Sequence, residues 1–169
     1  ALVNRAVARC RRGDLDGSFK DFDAAIAANP NCGLAYQNRS MLLYERGELD
    51  RALLDCNEAV RCLPTADSYG QRAIVRQVLG DEQGALKDVE AALGLDPHHP
   101  GALVTRAAHA FRAGRFEEAE GDLDQAILAD PTYLLAYQNR GNLRLTTRRP
   151  SGAMADFDRR LNDRSQAYG

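Results

Sequence analysis

Two charged side chains recur in this chain at a spacing that could support chemistry. Arginine stands at Arg5, Arg39, Arg72, Arg106 and Arg140, and aspartate at Asp21, Asp55, Asp88, Asp122 and Asp156. A guanidinium fork facing a carboxylate makes paired, charge-assisted hydrogen bonds. A carboxylate set apart by an unusual environment could instead act as an acid or base. Nothing distinguishes one aspartate from the next, so the first reading is the better one: five structural pairs, formed within a repeat or between neighbours. One residue before each arginine runs a polar ladder, Asn4, Asn38, Gln71, Thr105 and Asn139. Amide side chains donate and accept at once, which suits gripping the backbone of another polypeptide. Other chemistry is missing from the pattern. The four cysteines (Cys10, Cys32, Cys56 and Cys62) form no C-x-x-C pair, and His98, His99 and His109 lack metal spacing. His98 and His99 are expected to be exposed in a turn. No phosphate loop, nucleophile elbow or H-E-x-x-H occurs. The expectation is no catalytic residue, no metal, no cofactor and no enzymatic activity.

The elements that carry these ladders follow from a repeat. Gly13, Gly47, Gly80 and Gly114 form an anchor series that Arg148 completes, at steps of 34, 33, 34 and 34 residues. Each arginine lies eight residues before its anchor and each aspartate eight after it. Five residues after each anchor come Ser18, Ala52, Ala85, Ala119 and Ala153; seventeen after come Pro30, Pro64, Pro97 and Pro131. A period of this length means stacked units that bury their faces only against neighbours.

In residues 33–65, Tyr36, Ser40 and Leu43 make one helical stripe, and Ala52, Cys56, Ala59 and Val60 make a second. Gly47 between them suits the left-handed end of a helix, and Pro64 stops the second. Each unit is therefore expected to be two antiparallel helices of about 12–14 residues. Small residues seven before the anchor (Ala6, Ser40, Ala73, Ala107 and Gly141) face those five after it, which lets the helices approach closely. Cys56 aligns with Phe22, Val89, Leu123 and Phe157, so it reads as a core residue.

Pairs of helices at this period, with small residues and prolines at these offsets, resemble tetratricopeptide repeats across nearly the whole chain. The resemblance implies an all-α fold, a right-handed superhelical solenoid. A single array of about five units spans 1–32, 33–65, 66–99, 100–133 and 134–169, the first and last incomplete or divergent. It also implies a concave groove lined by the first helix of each pair. The groove candidates are the polar ladder together with Gln37, Met41, Tyr44, Ile74, Val78, Ala108, Phe111, Gln138 and Asn142. An apolar mixture of this kind usually marks a partner site, and AYQNR at residues 35–39 and 136–140 suggests related binding steps. The function implied is a non-catalytic scaffold holding a protein or peptide in that groove. The targeting arm of an enzyme such as a glycosyltransferase, or an architectural segment of a large assembly, stays open. Repeats that clamp the carboxylate tail of chaperones need cations where this chain has Gln37, Met41, Gln71, Gly101 and Thr105, which argues against that partner.

Composition sets outer limits. Of 169 residues 44% are hydrophobic and 27% charged, as in an ordinary globular chain, and a net charge of −2 argues against a nucleic-acid partner. Residues 134–169 carry 7 basic and 3 acidic groups, an excess that would favour an acidic partner or simply mark an arginine-rich last repeat. No apolar run reaches the ~18–20 residues of a membrane span, and no basic-then-apolar signal segment opens the chain. Helical repeats need no disulfide, so a cytoplasmic or other reducing compartment is expected. The first residue is not Met, Arg160 stands where a small residue belongs, and no polar capping helix follows it. Either the chain continues on both sides or a partner covers the ends, and continuation is the expectation.

Overall fold

The structure is a computed structural model that describes the backbone of residues 1–166 and the side chains of residues 1–159. Ten helices and no strands are present among the described residues. They are α1 (Leu2–Arg11), α2 (Leu15–Ala28), α3 (Gly33–Glu45), α4 (Leu49–Cys62), α5 (Ala66–Val78), α6 (Glu82–Leu95), α7 (Pro100–Arg112), α8 (Phe116–Ala129), α9 (Leu134–Thr146) and α10 (Pro150–Gln166).

The anchor residues make the hairpins. Gly13, Gly47, Gly80 and Gly114 have φ of 79°, 75°, 83° and 73°. The next N–H then reaches back five residues, as in Glu48 N–H to Leu43 O at 2.9 Å and Asp81 N–H to Arg76 O at 2.9 Å. That bond satisfies a carbonyl the helix end would otherwise orphan. Arg148 adopts the same conformation, with φ of 60°, and Arg149 N–H meets Arg144 O at 2.7 Å. The fifth turn therefore keeps its shape without glycine. Prolines end the second helices of the first four hairpins: α2, α4, α6 and α8 stop two residues before Pro30, Pro64, Pro97 and Pro131.

Close approach within a hairpin rests on the small residues. Ala6, Ser40, Ala73, Ala107 and Gly141 are buried, and so are Ser18, Ala52, Ala85, Ala119 and Ala153 facing them. At Gly141 a Cβ would lie 2.5 Å from the Phe157 ring, so the fifth hairpin fills the gap with an aromatic side chain instead. Phe22, Leu43, Leu103, Leu123 and Leu143 are the large side chains sealed between helices. Cys56 is sealed with them, and burial pushes its thiol up to about 11, so it stays protonated at neutral pH. His99 is half-buried rather than exposed. Its Nδ1 accepts from Ala102 N–H at 3.1 Å and caps α7, whose first residue, Pro100, needs no partner.

The helices form two compact units, Ala1–Leu95 and a second beginning at Asp96. In the first, α2 packs on α3 and α4 on α5; in the second, α8 packs on α9. First helices also touch one another, α1 with α3, α3 with α5 and α7 with α9. Second helices do not, among the described residues. Within each unit the first helices thus line the narrow, inner side of the stack. α10 runs on through Gln166, and the Arg160 side chain lies outside the described residues.

Candidate functional site

All five Arg–Asp pairs form inside their own hairpins, sixteen residues apart. Arg39 donates through Nε and Nη2 to the two oxygens of Asp55, both at 2.7 Å. Arg5–Asp21 (2.8 and 2.6 Å), Arg72–Asp88 (2.9 and 2.6 Å) and Arg106–Asp122 (2.8 and 2.6 Å) repeat that fork. In the fifth hairpin Nε of Arg140 lies 3.2 and 3.1 Å from the oxygens of Asp156, with Nη2 at 2.5 Å. The aspartates are buried, and the hydrogen bonds from Arg5 hold Asp21 below the usual carboxylate range although burial opposes them. Three arginines use their remaining Nη1 to reach the preceding hairpin. Arg39 meets Asp23 at 2.6 Å, Arg72 meets Asn57 at 3.2 Å and Arg140 meets Asp124 at 2.7 Å. The aspartates are therefore clamps within hairpins, and these three arginines are also seams between them.

A second arginine, missed from the sequence, supports three of the five clamps. Arg9, Arg76 and Arg144 lie four before their anchors and approach Asp21, Asp88 and Asp156 at 2.9, 2.7 and 3.0 Å. Each also donates to the carbonyl four residues after the anchor: Gly17, Gly84 and Gly152. The signal was present as arginine before and glycine after the same anchor. It fails in the second and fourth hairpins, where the arginine is replaced by Leu43 and Ala110. Part of the basic excess of the last hairpin is spent on the hairpin before it. Arg144 and Arg149 hold Glu120 at 3.0 and 2.7 Å. Burial would raise that carboxyl, yet the bonds from Arg149 and Arg144 outweigh it and keep the group below its ordinary range.

The groove candidates divide into those that line a cleft and those that do not. Between α7 and α9, Ala108, Phe111, Asn139 and Asn142 border a cleft of about 170 Å³ whose other walls are Ala107, Arg112, Leu123 and Leu143. Between α1 and α3, Asn38 and Met41 border one of about 330 Å³ with Val7, Cys10, Arg11, Leu15, Leu42 and Glu45. The two share a register. Counted from the anchors, positions −6, −3 and −2 of one hairpin face −9, −6 and −5 of the next in both. Val7 and Cys10 were legible, because they occupy the offsets that singled out Met41 with Ala108 and Tyr44 with Phe111. Asn4, Gln37, Tyr44, Gln71, Ile74, Val78 and Gln138 border neither cleft.

The polar ladder is uneven. Asn4 is exposed, whereas Asn38, Gln71 and Asn139 are half-buried. Asn38 Nδ2 donates to Leu34 O at 2.7 Å on its own helix. Thr105 departs from the expectation of an open position. It is buried, and its hydroxyl donates to Gly101 O at 2.9 Å. Its back-bond to the preceding turn is of the kind Asn38 makes, and what sets Thr105 apart is its burial.

A family model described as tetratricopeptide repeat matches residues 3–67, and a second with the same description matches residues 79–158. The chain belongs to the tetratricopeptide repeat family. Human tetratricopeptide repeat protein 6 is 26% identical over 129 residues, 76% of this chain and 25% of that protein. Rat sperm-associated antigen 1 is 34% identical over 90 residues, 53% and 10% of the respective chains. The chain thus spans a quarter or less of the length of these relatives. Among solved structures, TTC0263, a thermophilic tetratricopeptide protein in Thermus thermophilus, superposes with a TM-score of 0.80 at 20% identity, covering 95% of this chain and 89% of that one. YrrB, titled a tetratricopeptide protein with an unusual peptide-binding site, gives 0.65 at 17% identity, with 95% and 84% covered. At such identities the likeness shows the tetratricopeptide fold alone. Among the described residues no helix is long and apolar enough to cross a membrane.

Proposed function

We propose that the chain is a protein-interaction scaffold that holds an extended polypeptide along the inner, first-helix side of its hairpins and performs no reaction on it. The observation that carries this reading is the pair of clefts in one register, each edged by an asparagine nine residues before an anchor. At about 170 and 330 Å³ they are below or at the lower edge of the volumes that take drug-sized ligands. Each suits a single side chain of a bound strand, with Asn38 in the first unit and Asn139 in the second placed beside the backbone held in its own cleft. The buried aspartates that could have acted as acids or bases are each engaged by arginine, which leaves none of the five poised for proton transfer. The peptide site that YrrB's title records supports this reading by fold analogy.

The test begins with peptides selected from a random library against the purified chain. Dissociation constants are then measured by fluorescence anisotropy for the wild type, Met41→Glu, Ala108→Glu and Leu54→Glu. Met41 and Ala108 stand on first helices, while Leu54 is 65% exposed on the second helix α4. Either first-helix variant should weaken binding about tenfold or more, with Leu54→Glu unchanged. Peptides indifferent to both first-helix changes but lost with Leu54→Glu would overturn the reading.

A further inference from the structure

Three of the five clamp aspartates are held by two arginines, and in the fourth hairpin the second place stands open. Four residues before the anchor, Arg9, Arg76 and Arg144 reach Asp21, Asp88 and Asp156 at 2.9, 2.7 and 3.0 Å and donate to the carbonyls of Gly17, Gly84 and Gly152. The second hairpin fills that place with Leu43, whose side chain is sealed. The fourth has Ala110, which ends at its Cβ. What remains is a cavity of about 420 Å³ whose walls, Ala110, Glu118, Gly121, Asp122 and Gln125 among them, all belong to the α7–α8 hairpin. It shares no residue with the cleft between α7 and α9. Among the described residues Asp122 has one arginine partner, Arg106, and its side chain is 11% exposed against 4%, 3% and 3% for Asp21, Asp88 and Asp156.

The acceptors that hold a second arginine elsewhere are present here. Asp122 occupies the offset of Asp88, and the carbonyl four after the anchor belongs to Glu118. One further cation borders the cavity: Arg115, one after the anchor, where the first and third hairpins have Asp14 and Asp81. Glu118 meets its charge at 2.7 Å. The fifth hairpin has Arg149 at that offset and still brings Arg144 to Asp156, so a cation there is compatible with a second guanidinium on the aspartate. Gln125 also borders a neighbouring cleft of about 460 Å³, which Pro100, Leu128 and Ala129 help to wall. Leu128 is 82% exposed. It lies six residues beyond Asp122 on α8, about 9 Å along the helix axis. An extended segment covers that span in about three residues.

We infer that the α7–α8 hairpin receives an arginine side chain of a partner polypeptide at Asp122 and the Glu118 carbonyl, in the space that Ala110 leaves, with an apolar residue about three positions away resting on Leu128. The chain itself selects this occupant, because in three hairpins a guanidinium meets the same acceptors at the same offsets. A carboxylate and a carbonyl side by side match the planar fork of arginine, whereas a compact ammonium presents a single point of charge. The hairpin thus offers a hold on a partner that is independent of the cleft between α7 and α9.

The test uses end-blocked tetrapeptides with arginine and leucine at their two ends, in either order, titrated into the isotope-labelled chain and followed by nuclear magnetic resonance. The amide signals of Gly121 and Gln125 should move, and one order should bind about tenfold more tightly than its lysine or citrulline counterpart. Arginine amide alone should bind more weakly than that tetrapeptide. Ala110→Arg supplies the guanidinium from within the chain, so it should raise the urea midpoint and weaken peptide binding about tenfold or more. Gly121→Leu covers the cavity from a position where a Cβ meets nothing within 4 Å, and it should weaken binding to a similar degree. Circular dichroism checks the fold of both variants, and Leu54→Glu, on another hairpin, should bind as the wild type does. Neither tetrapeptide binding at roughly 10 mM, or citrulline binding as well as arginine, overturns the proposal. So does binding that Ala108→Glu abolishes and Ala110→Arg leaves intact, which would put the peptide in the inner cleft. Arginine amide matching the tetrapeptide would overturn the polypeptide as occupant.

Discussion

Asp88→Ala is the substitution that most directly probes the charge clamps. The Asp88 carboxylate is 2% exposed and receives Arg72 Nε and Nη2 at 2.9 and 2.6 Å and Arg76 Nη1 at 2.7 Å. Removing it strands two guanidinium groups in the hairpin of α5 and α6. Breaking a buried ion pair typically costs ~3–5 kcal/mol because the surviving charge loses its partner. Here Arg72 and Arg76 remain 15% and 21% exposed, and each keeps a further acceptor, Asn57 for one and Gly84 O for the other. The expectation is therefore the lower end, about 3 kcal/mol. Asp55→Ala strands only Arg39, which keeps Asp23, and should cost about 2 kcal/mol. Asp50→Ala, exposed on α4, should stay within about 0.5 kcal/mol. Urea titrations followed by far-ultraviolet circular dichroism give the three midpoints, and amide exchange in α6 reports the hairpin locally, since repeat chains depart from two-state unfolding. Asp88→Asn controls for cavity formation by keeping the volume; it should recover less than half the loss. Equal midpoints for Asp88→Ala and Asp50→Ala would refute the clamps, and Asp55→Ala costing as much as Asp88→Ala would refute the role of Arg76.

Two other perturbations follow from the geometry. Arg148 holds a φ of 60° that glycine adopts without strain, so Arg148→Gly should stabilise the chain by about 1 kcal/mol; a melting temperature that is unchanged or lower counts against the strain. Asp21 and Glu120 both have lowered folded-state values relative to 3.8 and 4.5, so the unfolded chain binds the extra protons. Their stabilisation is complete above those ordinary values and is lost as pH falls through the lowered ones. Urea midpoints should hold nearly level from about pH 7 to 5 and drop below about 4.5; a drop confined to the range above pH 5 would point to other groups.

Much of this arrangement was legible in the residues because a hairpin imposes symmetry. An arginine eight before a turn and an aspartate eight after it must lie at the same height on adjacent antiparallel helices, so their pairing follows from counting. The paired helices were legible for the same reason: anchor, small residues and proline each mark a place where backbone geometry tolerates few substitutes. Arg148 shows how far position can override residue type, since the hydrogen bonds of the turn persist without glycine. What counting missed was partial or depended on packing. The arginines at 9, 76 and 144 support only alternate clamps and so leave no five-fold pattern. Thr105 occupies a ladder position but is buried, and no offset distinguishes a ladder position that packs closed from one that stays open. Leu15, Leu42 and Leu143 reach the clefts only because neighbouring first helices converge.

The seam arginines bear on how such a chain can change length. Arg39 belongs to two hairpins at once, joined to Asp55 in its own and Asp23 in the one before. A hairpin of this kind brings the plug for one neighbour and the socket for the other. Duplicating or excising about 34 residues as a block, one repeat period, rejoins a plug to an equivalent socket, whereas a block of another length parts a seam arginine such as Arg39 from one of its two carboxylates. Growth by whole modules is the route that electrostatics leaves cheap.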